Sequence, residues 1–224
     1  MQSTLVKHNK FFKAGHATSF DTAKKYAVRC DGSSSEHGSV PSPGLITTGD
    51  FAFVINFRIV SVTNLAAFGI THGCRIEFMR HAVAMRITIE DDSSSVNFVT
   101  NNDLTDGEWH TIIISCDRDG DLDYYEDYNA IGGGYTESLD ISGVTGNIED
   151  AGTNHWFFCY NNGVYNSLDF DQIAFFSQKL TPTQAVAIYN SLQQGFEVDK
   201  AAFVPDPMCY YKCNEGTGTT VANE

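Results

Sequence analysis

Phe51-Ala-Phe-Val-Ile-Asn-Phe-Arg-Ile-Val60 decides the fold. Phe51, Phe53, Ile55, Phe57 and Ile59 recur at every second position, and Asn56 and Arg58 stand between them. Successive side chains of a strand point to opposite faces, so this run of ten residues reads as a strand with one buried face.

Working outward, Cys74–Met79 and Val83–Ile89 repeat the alternation more weakly, with Val83, Met85, Ile87 and Ile89 expected inside. Arg80-His81-Ala82 is short enough to join them as a hairpin. Asp106-Gly107 marks a turn before a strand over Trp109–Cys116, and Asp117-Arg118-Asp119-Gly120 turns the chain into Leu122–Tyr128. The Gly-rich stretch from Ile131 is expected to run without regular structure to Ile148. Strands over His155–Tyr160 and Leu168–Ser177 follow, separated by Asn161-Asn162-Gly163, and Tyr26–Cys30 is a further strand upstream.

One helix is expected, over 181–194. Thr181 stands at the N-cap, Pro182 at the first helical position and Gln184 at the third, which is a capping box. Ala185, Ile188, Tyr189 and Leu192 form its apolar stripe, and Gly195 suits a left-handed C-cap.

The 224 residues, 42% of them apolar, suffice for one substantial core, and all-β sandwiches of this size are single domains. The formal charge of −14 repels nucleic acid and anionic membrane, and no apolar run reaches membrane-spanning length. That charge is unevenly spread. Lys7, Lys10, Lys13, Lys24, Lys25 and Arg29 face Asp21 alone in residues 1–29, a net of +5 on an otherwise acidic chain. Residues 1–25 therefore read as a basic arm, and 26–224 as the folded domain. The arm is suited to docking on an acidic neighbour through Lys7, Lys10, Lys13 and the rings of Phe11 and Phe12. No apolar stretch follows Met1-Gln2-Ser3, no Asn begins a glycosylation sequon, and the six cysteines are scattered through strand-like runs. These point to a reducing compartment and to thiols that act as small hydrophobes.

The order of these motifs resembles the concanavalin A-like, laminin-G-like jelly roll. The matching residues are Cys30-Asp31-Gly32-Ser33, Phe51–Arg58, Asp106-Gly107-Glu108-Trp109-His110, Asp117–Gly120 and Tyr124-Tyr125-Glu126-Asp127. Asp171–Phe176 and Leu180-Thr181 through Ile188-Tyr189-Asn190 close the series. The resemblance covers residues 26–190 and implies an all-β, two-sheet antiparallel jelly-roll sandwich. Where the family has Asp-Gly after its tyrosine strand, this chain has Asp127-Tyr128. Tyr210–Thr219 looks like the family's opening motif, so either a C-terminal strand closes the sandwich, the preferred expectation, or a second repeat has been cut short.

Several glycosidases share the fold, but their paired carboxylates come from an E-x-D-x-x-E strand that Asp121, Asp123, Glu126 and Asp127 do not reproduce. Glu90-Asp91-Asp92, beside three serines, reads as a solvated turn. An enzyme is not expected, and a glycoside hydrolase ranks third. Asp117, Asp119, Asp121 and Asp123 alternate around a glycine as calcium ligands do, which makes calcium the one cofactor to consider. Asn161, Asn162, Tyr165 and Asn166 are the candidate ligand-binding residues, an aromatic ring flanked by amides. Trp109 and Trp156 read as core, and His110 and His155 as strand residues with one partner each.

A laminin-G-like jelly roll without secretory features leads first to a non-catalytic virion surface protein, a phage capsid decoration or fibre component with an adhesive domain. Such a protein folds in the host cytoplasm, and its partners are other virion proteins, itself or a cell-surface glycan. The alternative is a carbohydrate-binding module or adhesin domain of a larger extracellular protein.

Overall fold

The computed structural model describes residues 4–7, 26–31, 38–41, 48–61, 68–70, 75–81, 84–100, 102–128, 134–148, 155–158, 160–161, 164–165, 167–193, 198, 201 and 204–213. The strands in chain order are β1 (Thr4–Lys7), β2 (Tyr26–Asp31), β3 (Gly38–Pro41), β4 (Phe51–Ser61), β5 (Phe68–Ile70), β6 (Arg75–His81), β7 (Ala84–Glu90) and β8 (Ser95–Val99). They continue as β9 (His110–Cys116), β10 (Asp121–Glu126), β11 (Tyr135–Asp140), β12 (His155–Phe158), β13 (Tyr160–Asn161), β14 (Val164–Tyr165), β15 (Ser167–Phe176) and β16 (Cys209–Tyr211). One helix, α1 (Pro182–Gln193), lies between β15 and β16.

One eight-stranded antiparallel sheet runs β1-β2-β15-β4-β9-β10-β11, and β16 pairs with β15. The facing layer contains β6-β7-β8 and β3-β12-β5, with β5 beside β6. Both sheets are antiparallel, as expected for the jelly-roll sandwich. The odd residues of β4 point into the space between the layers, where Phe53 meets Phe175 of β15 with ring centroids 5.0 Å apart. Met85, Ile87 and Ile89 of β7 join the same core, as the alternation implied, while Val83 lies outside the described residues.

The second face of β4 is buried as well. Ala52 and Val54 pack with Ile113, Ala174 and Phe176 against Ala185, Ile188 and Leu192 of α1. The molecule thus has a second core on the outer side of the large sheet, which buries every residue of β9 and β15. Ile113 belongs to this outer core, and Tyr189 is only half-buried while Ser191 is buried. The link into α1 is tied down by Ser115, whose hydroxyl donates to the Leu180 carbonyl (2.9 Å) and accepts from the Leu180 N–H (2.8 Å).

The capping box forms. The Thr181 N–H donates to Gln184 Oε1 (2.7 Å), and the Gln184 N–H to Thr181 Oγ1 (3.3 Å). Thr181→Ala is expected to lower stability by about 1 kcal/mol through the lost cap, read as a lower thermal midpoint. Gly195 lies outside the described residues.

Within the residues read as an arm, Thr4–Lys7 forms β1, with Lys7 opposite Tyr26. Three expectations are corrected. The stretch after Gly134 is not irregular, because Tyr135–Asp140 pairs with β10 along its whole length. A Cβ on Gly134 (φ 89°) would stand 2.4 Å from the Glu126 carbonyl oxygen, so only glycine fits that approach. Trp109 is half-buried just ahead of β9 rather than in the core, and of Trp156 only its place in β12 is described. Asp91 is 3% exposed rather than solvated. Its carboxylate accepts from the N–H groups of Ser93 (2.8 Å), Ser94 (2.7 Å) and, across the chain, Gly146 (2.6 Å). Burial alone would raise its pKa, yet these hydrogen bonds hold it well below the usual carboxylate range.

The C-terminal strand closes the sheet as expected. β16 runs along β15 from Ile173↔Tyr211 to Phe175↔Cys209. Cys116, Cys209 and Cys213 are buried free thiols, and burial pushes Cys116 well above its ordinary pKa.

Candidate functional site

The register of the large sheet sorts the candidate residues to its two ends. At one end, Phe57 of β4 pairs with His110 of β9, and Ser167 of β15 pairs with Asp31 of β2 and Ser61 of β4. β14 ends at Tyr165, with a single residue between it and the start of β15, so the β13–β14 pair lies at this same end. Asn161 stands opposite Val164, and Tyr165 opposite Tyr160. Asn162 and Asn166 lie outside the described residues. Trp109 is also at this end. Arg58 lies over its ring, with Cζ 5.4 Å from the centroid, a cation–π contact on the outer face of the sheet. Arg58 is in turn held by Asp169, opposite it on β15, through Nε (3.1 Å) and Nη2. Beside them a β-bulge between Phe170 and Gln172 turns two consecutive polar side chains outward. Asp171 accepts from Asn56 (3.0 Å), and Gln172 accepts from Tyr210 and from the Val198 N–H (3.0 Å).

A titratable cluster completes this end. His110 is 8% exposed and has two partners, not one: Nδ1 meets Asp127 (2.8 Å) and Nε2 meets Asp106 (3.0 Å). Asp127 also accepts from the Thr111 N–H (2.8 Å), with its own backbone in the left-handed region (φ 48°). Asp is a residue type that tolerates this conformation. Burial by itself would depress the His110 pKa. The hydrogen bonds and charges of Asp127 and then Asp106 outweigh it and raise the ring to about 9. Glu126 accepts from Tyr124 Oη (2.7 Å) and Asn102 Nδ2 (2.7 Å), and burial raises its pKa.

Because the folded pKa of His110 lies above the ordinary 6.5, its contribution is complete below that value and is lost as pH rises through about 9. The full shift corresponds to about 3 kcal/mol, and the partly exposed carboxylates screen it to about 2 kcal/mol. Unfolding free energies from urea titrations at about pH 6 and about pH 10 should differ by that amount in the wild type and much less in His110→Gln. Equal pH dependence in the two proteins would remove the cluster from the stability of the fold.

The acidic turn is at the opposite end. Asp117 closes it through the Gly120 N–H to its carbonyl (3.1 Å) and the Asp119 N–H to its carboxylate (3.2 Å). Arg118, 3% exposed, reaches from the turn to the carbonyls of Val144 and Gly146 (2.7 Å to the latter). Asp123 pairs with Lys179 (3.0 Å) and accepts from Ser138 (3.0 Å), while Asp119 and Asp121 are exposed. The four carboxylates proposed for calcium are not brought together. Among the described residues no group of three or more His, Cys, Asp or Glu side chains is placed to hold a metal ion. Nor does β10 assemble a glycosidase pair, since Glu126 shares the inner face with Leu122 and Tyr124, and Asp121 and Asp123 alternate with them. Of the docking residues, Lys7 is the last residue of β1, and Lys10, Phe11, Phe12 and Lys13 lie outside the described residues.

No protein-family model matches the chain, and neither does any curated protein. Solved structures do. The binding domain of Paraclostridial Mosquitocidal Protein 1 aligns with a TM-score of 0.64 at 13% identity, over 85% of this chain and 48% of that one. A botulinum neurotoxin type C structure, described for cell entry dependent on two ganglioside molecules, aligns at 0.61 and 10% identity, over 85% and 47%. The LG1–3 region of the laminin alpha2 chain aligns at 0.54 and 15% identity, over 68% and 31%. This chain spans about half the length of the two toxin chains. At these identities the likeness establishes the fold alone, a two-sheet antiparallel jelly-roll sandwich.

Proposed function

We propose that this chain is a non-catalytic binding domain that takes a cell-surface glycan at the Trp109 end of the sandwich. The observation that carries the reading is the strand register, which sets the β13–β14 pair at the same end of the large sheet as the half-buried Trp109 with Arg58 over its ring. Aromatic and amide residue types suit sugars, whose apolar C–H faces stack on rings while their hydroxyls need hydrogen-bond partners. Toxin binding domains of the same fold, one of them described as interacting with gangliosides, support a binding rather than a chemical role.

The test is a titration of sialylated and neutral oligosaccharides against the wild type, Trp109→Ala and Tyr165→Ala, with circular dichroism verifying each fold. At least one oligosaccharide is expected to bind, and each substitution to weaken it about tenfold or more. Absence of binding across the set, or unchanged affinity in both variants, would sink the reading.

A second reading places the domain on a virion, as a capsid decoration or fibre component folded in the host cytoplasm. Its support is the net +5 of residues 1–29 on an otherwise acidic chain. Lys10→Glu with Lys13→Glu should then reduce co-sedimentation with intact particles, and unchanged attachment would retire it. Display on the surface of a larger extracellular protein fits the glycan reading equally well.

A further inference from the structure

The segment that brings Trp109 to the rim is fastened at both ends. Where it leaves β8, the Thr100 N–H donates to the Met85 carbonyl (2.8 Å), the Thr100 hydroxyl accepts from the Met85 N–H (3.0 Å), and Leu104 is buried in the core between the sheets. Asn102 donates to Glu126 at the end of β10 (2.7 Å). Gly107 then turns the chain with a φ of 81°. Across that turn one oxygen, Asp106 Oδ1, accepts from the Glu108 N–H (2.8 Å) and meets His110 Nε2 (3.0 Å), which brackets residues 107–109. His110 Nδ1 in turn meets Asp127 Oδ2 (2.8 Å), and Asp127 Oδ1 accepts from the Thr111 N–H (2.8 Å). Trp109 thus lies inside a turn that a carboxylate–imidazole–carboxylate bridge ties to β10.

An ionised carboxylate accepts hydrogen bonds and donates none, while a neutral imidazole has a single N–H. Only the imidazolium therefore satisfies both carboxylates at once. Asp106 faces the ring from the turn ahead of β9, Asp127 and the nearby Glu126 face it from the end of β10, and β4 presents the uncharged Phe57 ring. Arg58 of β4 lies over Trp109 and is committed to Asp169. The Tyr189 phenol of α1 stays neutral to about 12, through burial and then the charge of Asp127. Burial opposes the imidazolium, but Asp127 and then Asp106 outweigh it, and the ring titrates at about 9. A neutral ring must give up one of its two partners. The Asp106 side chain is 42% exposed, whereas Asp127 is 26% exposed and also held by the Thr111 N–H, so water replaces the ring at Asp106 more readily. The bracket around Trp109 is the side that opens.

We propose that His110 is a positioning residue of the rim: its charged ring holds the Asp106–Trp109 turn on β10, and loss of its proton loosens the turn and weakens glycan binding at Trp109. The ligand rests on the glycan reading above, while the hold on Trp109 belongs to the chain alone.

Two readouts on the full chain test it from about pH 7 to about pH 10. One is affinity for a sialylated and a neutral oligosaccharide. The other is the indole emission of Trp109, isolated from that of Trp156 as the difference between the wild type and Trp109→Phe. In the wild type, affinity is expected to fall about tenfold, the effect of one charge-assisted hydrogen bond, and emission to shift, both with a midpoint of about 9. Asp106→Asn keeps an oxygen for the Glu108 N–H but removes the charge, and should lower both midpoints by about one pH unit or more. His110→Gln should bind weakly already at about pH 7 and show no midpoint, and if it does not fold, Asp106→Asn decides. Emission that stays flat in the wild type, or a midpoint that Asp106→Asn leaves in place, overturns the proposal. So does a bound oligosaccharide whose affinity does not change with pH, an outcome that leaves the glycan reading standing. If no oligosaccharide binds, the glycan reading fails, and the emission midpoint and its shift still decide whether His110 positions Trp109.

Discussion

Phe57→Ala is expected to cost about 3–5 kcal/mol, against a total stability of roughly 5–15 kcal/mol for a domain of this kind. Phe57 is 3% exposed and belongs to the core between the sheets. It pairs with Phe170 on one side and His110 on the other, its ring centroid 6.3 Å from the imidazole. Truncation removes the ring from a central strand, where β15 and β9 on its two sides hold the backbone and limit collapse into the gap. Phe57→Leu keeps most of the volume and should cost less than about 1.5 kcal/mol. Denaturant midpoints measure both. A Phe57→Ala protein that unfolds like the wild type would mean that the cavity refills, and that the rim next to His110 is softer than its burial indicates.

The same strand shows how far the sequence could be read. Its odd positions alternate with polar residues at Asn56 and Arg58, so the inner face was legible from period alone. The outer face was not. Ala52 and Val54 are buried because α1 packs on that side, and the alternation gives no sign of a helix more than a hundred residues downstream. The unbroken run Ile112-Ile113-Ile114 was the available signal, since strands covered on both faces lose their polar alternation. β11 was missed for the converse reason. Thr136-Glu137-Ser138-Leu139 offers one apolar residue, and an edge strand owes its existence to the hydrogen bonds of its neighbour. Asp91 was misread because its neighbouring serines are visible in sequence while Gly146 is not. The rim had the same limitation. Its aromatic and amide residues were picked out one group at a time, but only strand register shows that Trp109 and the β13–β14 hairpin share an end. Register depends on pairings between segments far apart in sequence, as between Arg58 and Asp169, 111 residues apart.

That pair sets the second large expectation. Arg58→Leu should destabilise by about 3 kcal/mol. Losing one partner of a buried pair costs about 3–5 kcal/mol because a charge is stranded, and the 26% exposure of Arg58 places this case at the lower end. Asp169 is completely buried, so water cannot take the guanidinium's place without opening the sheet. Replacing both residues, Arg58→Leu with Asp169→Leu, removes the stranded charge and should recover much of the loss. A thermodynamic cycle over wild type, the two single variants and the double variant then gives a coupling of about 2 kcal/mol or more. Additive losses would show that the two side chains act independently, and that Asp169 is stabilised by its other surroundings. The cycle also reports on the rim. Arg58 is what lies over Trp109, so both Arg58 variants free the indole on that side. Glycan affinity that falls equally in the single and double variants identifies the cation–π platform as the binding element. Affinity that recovers with stability assigns Arg58 to the architecture of the sheet alone.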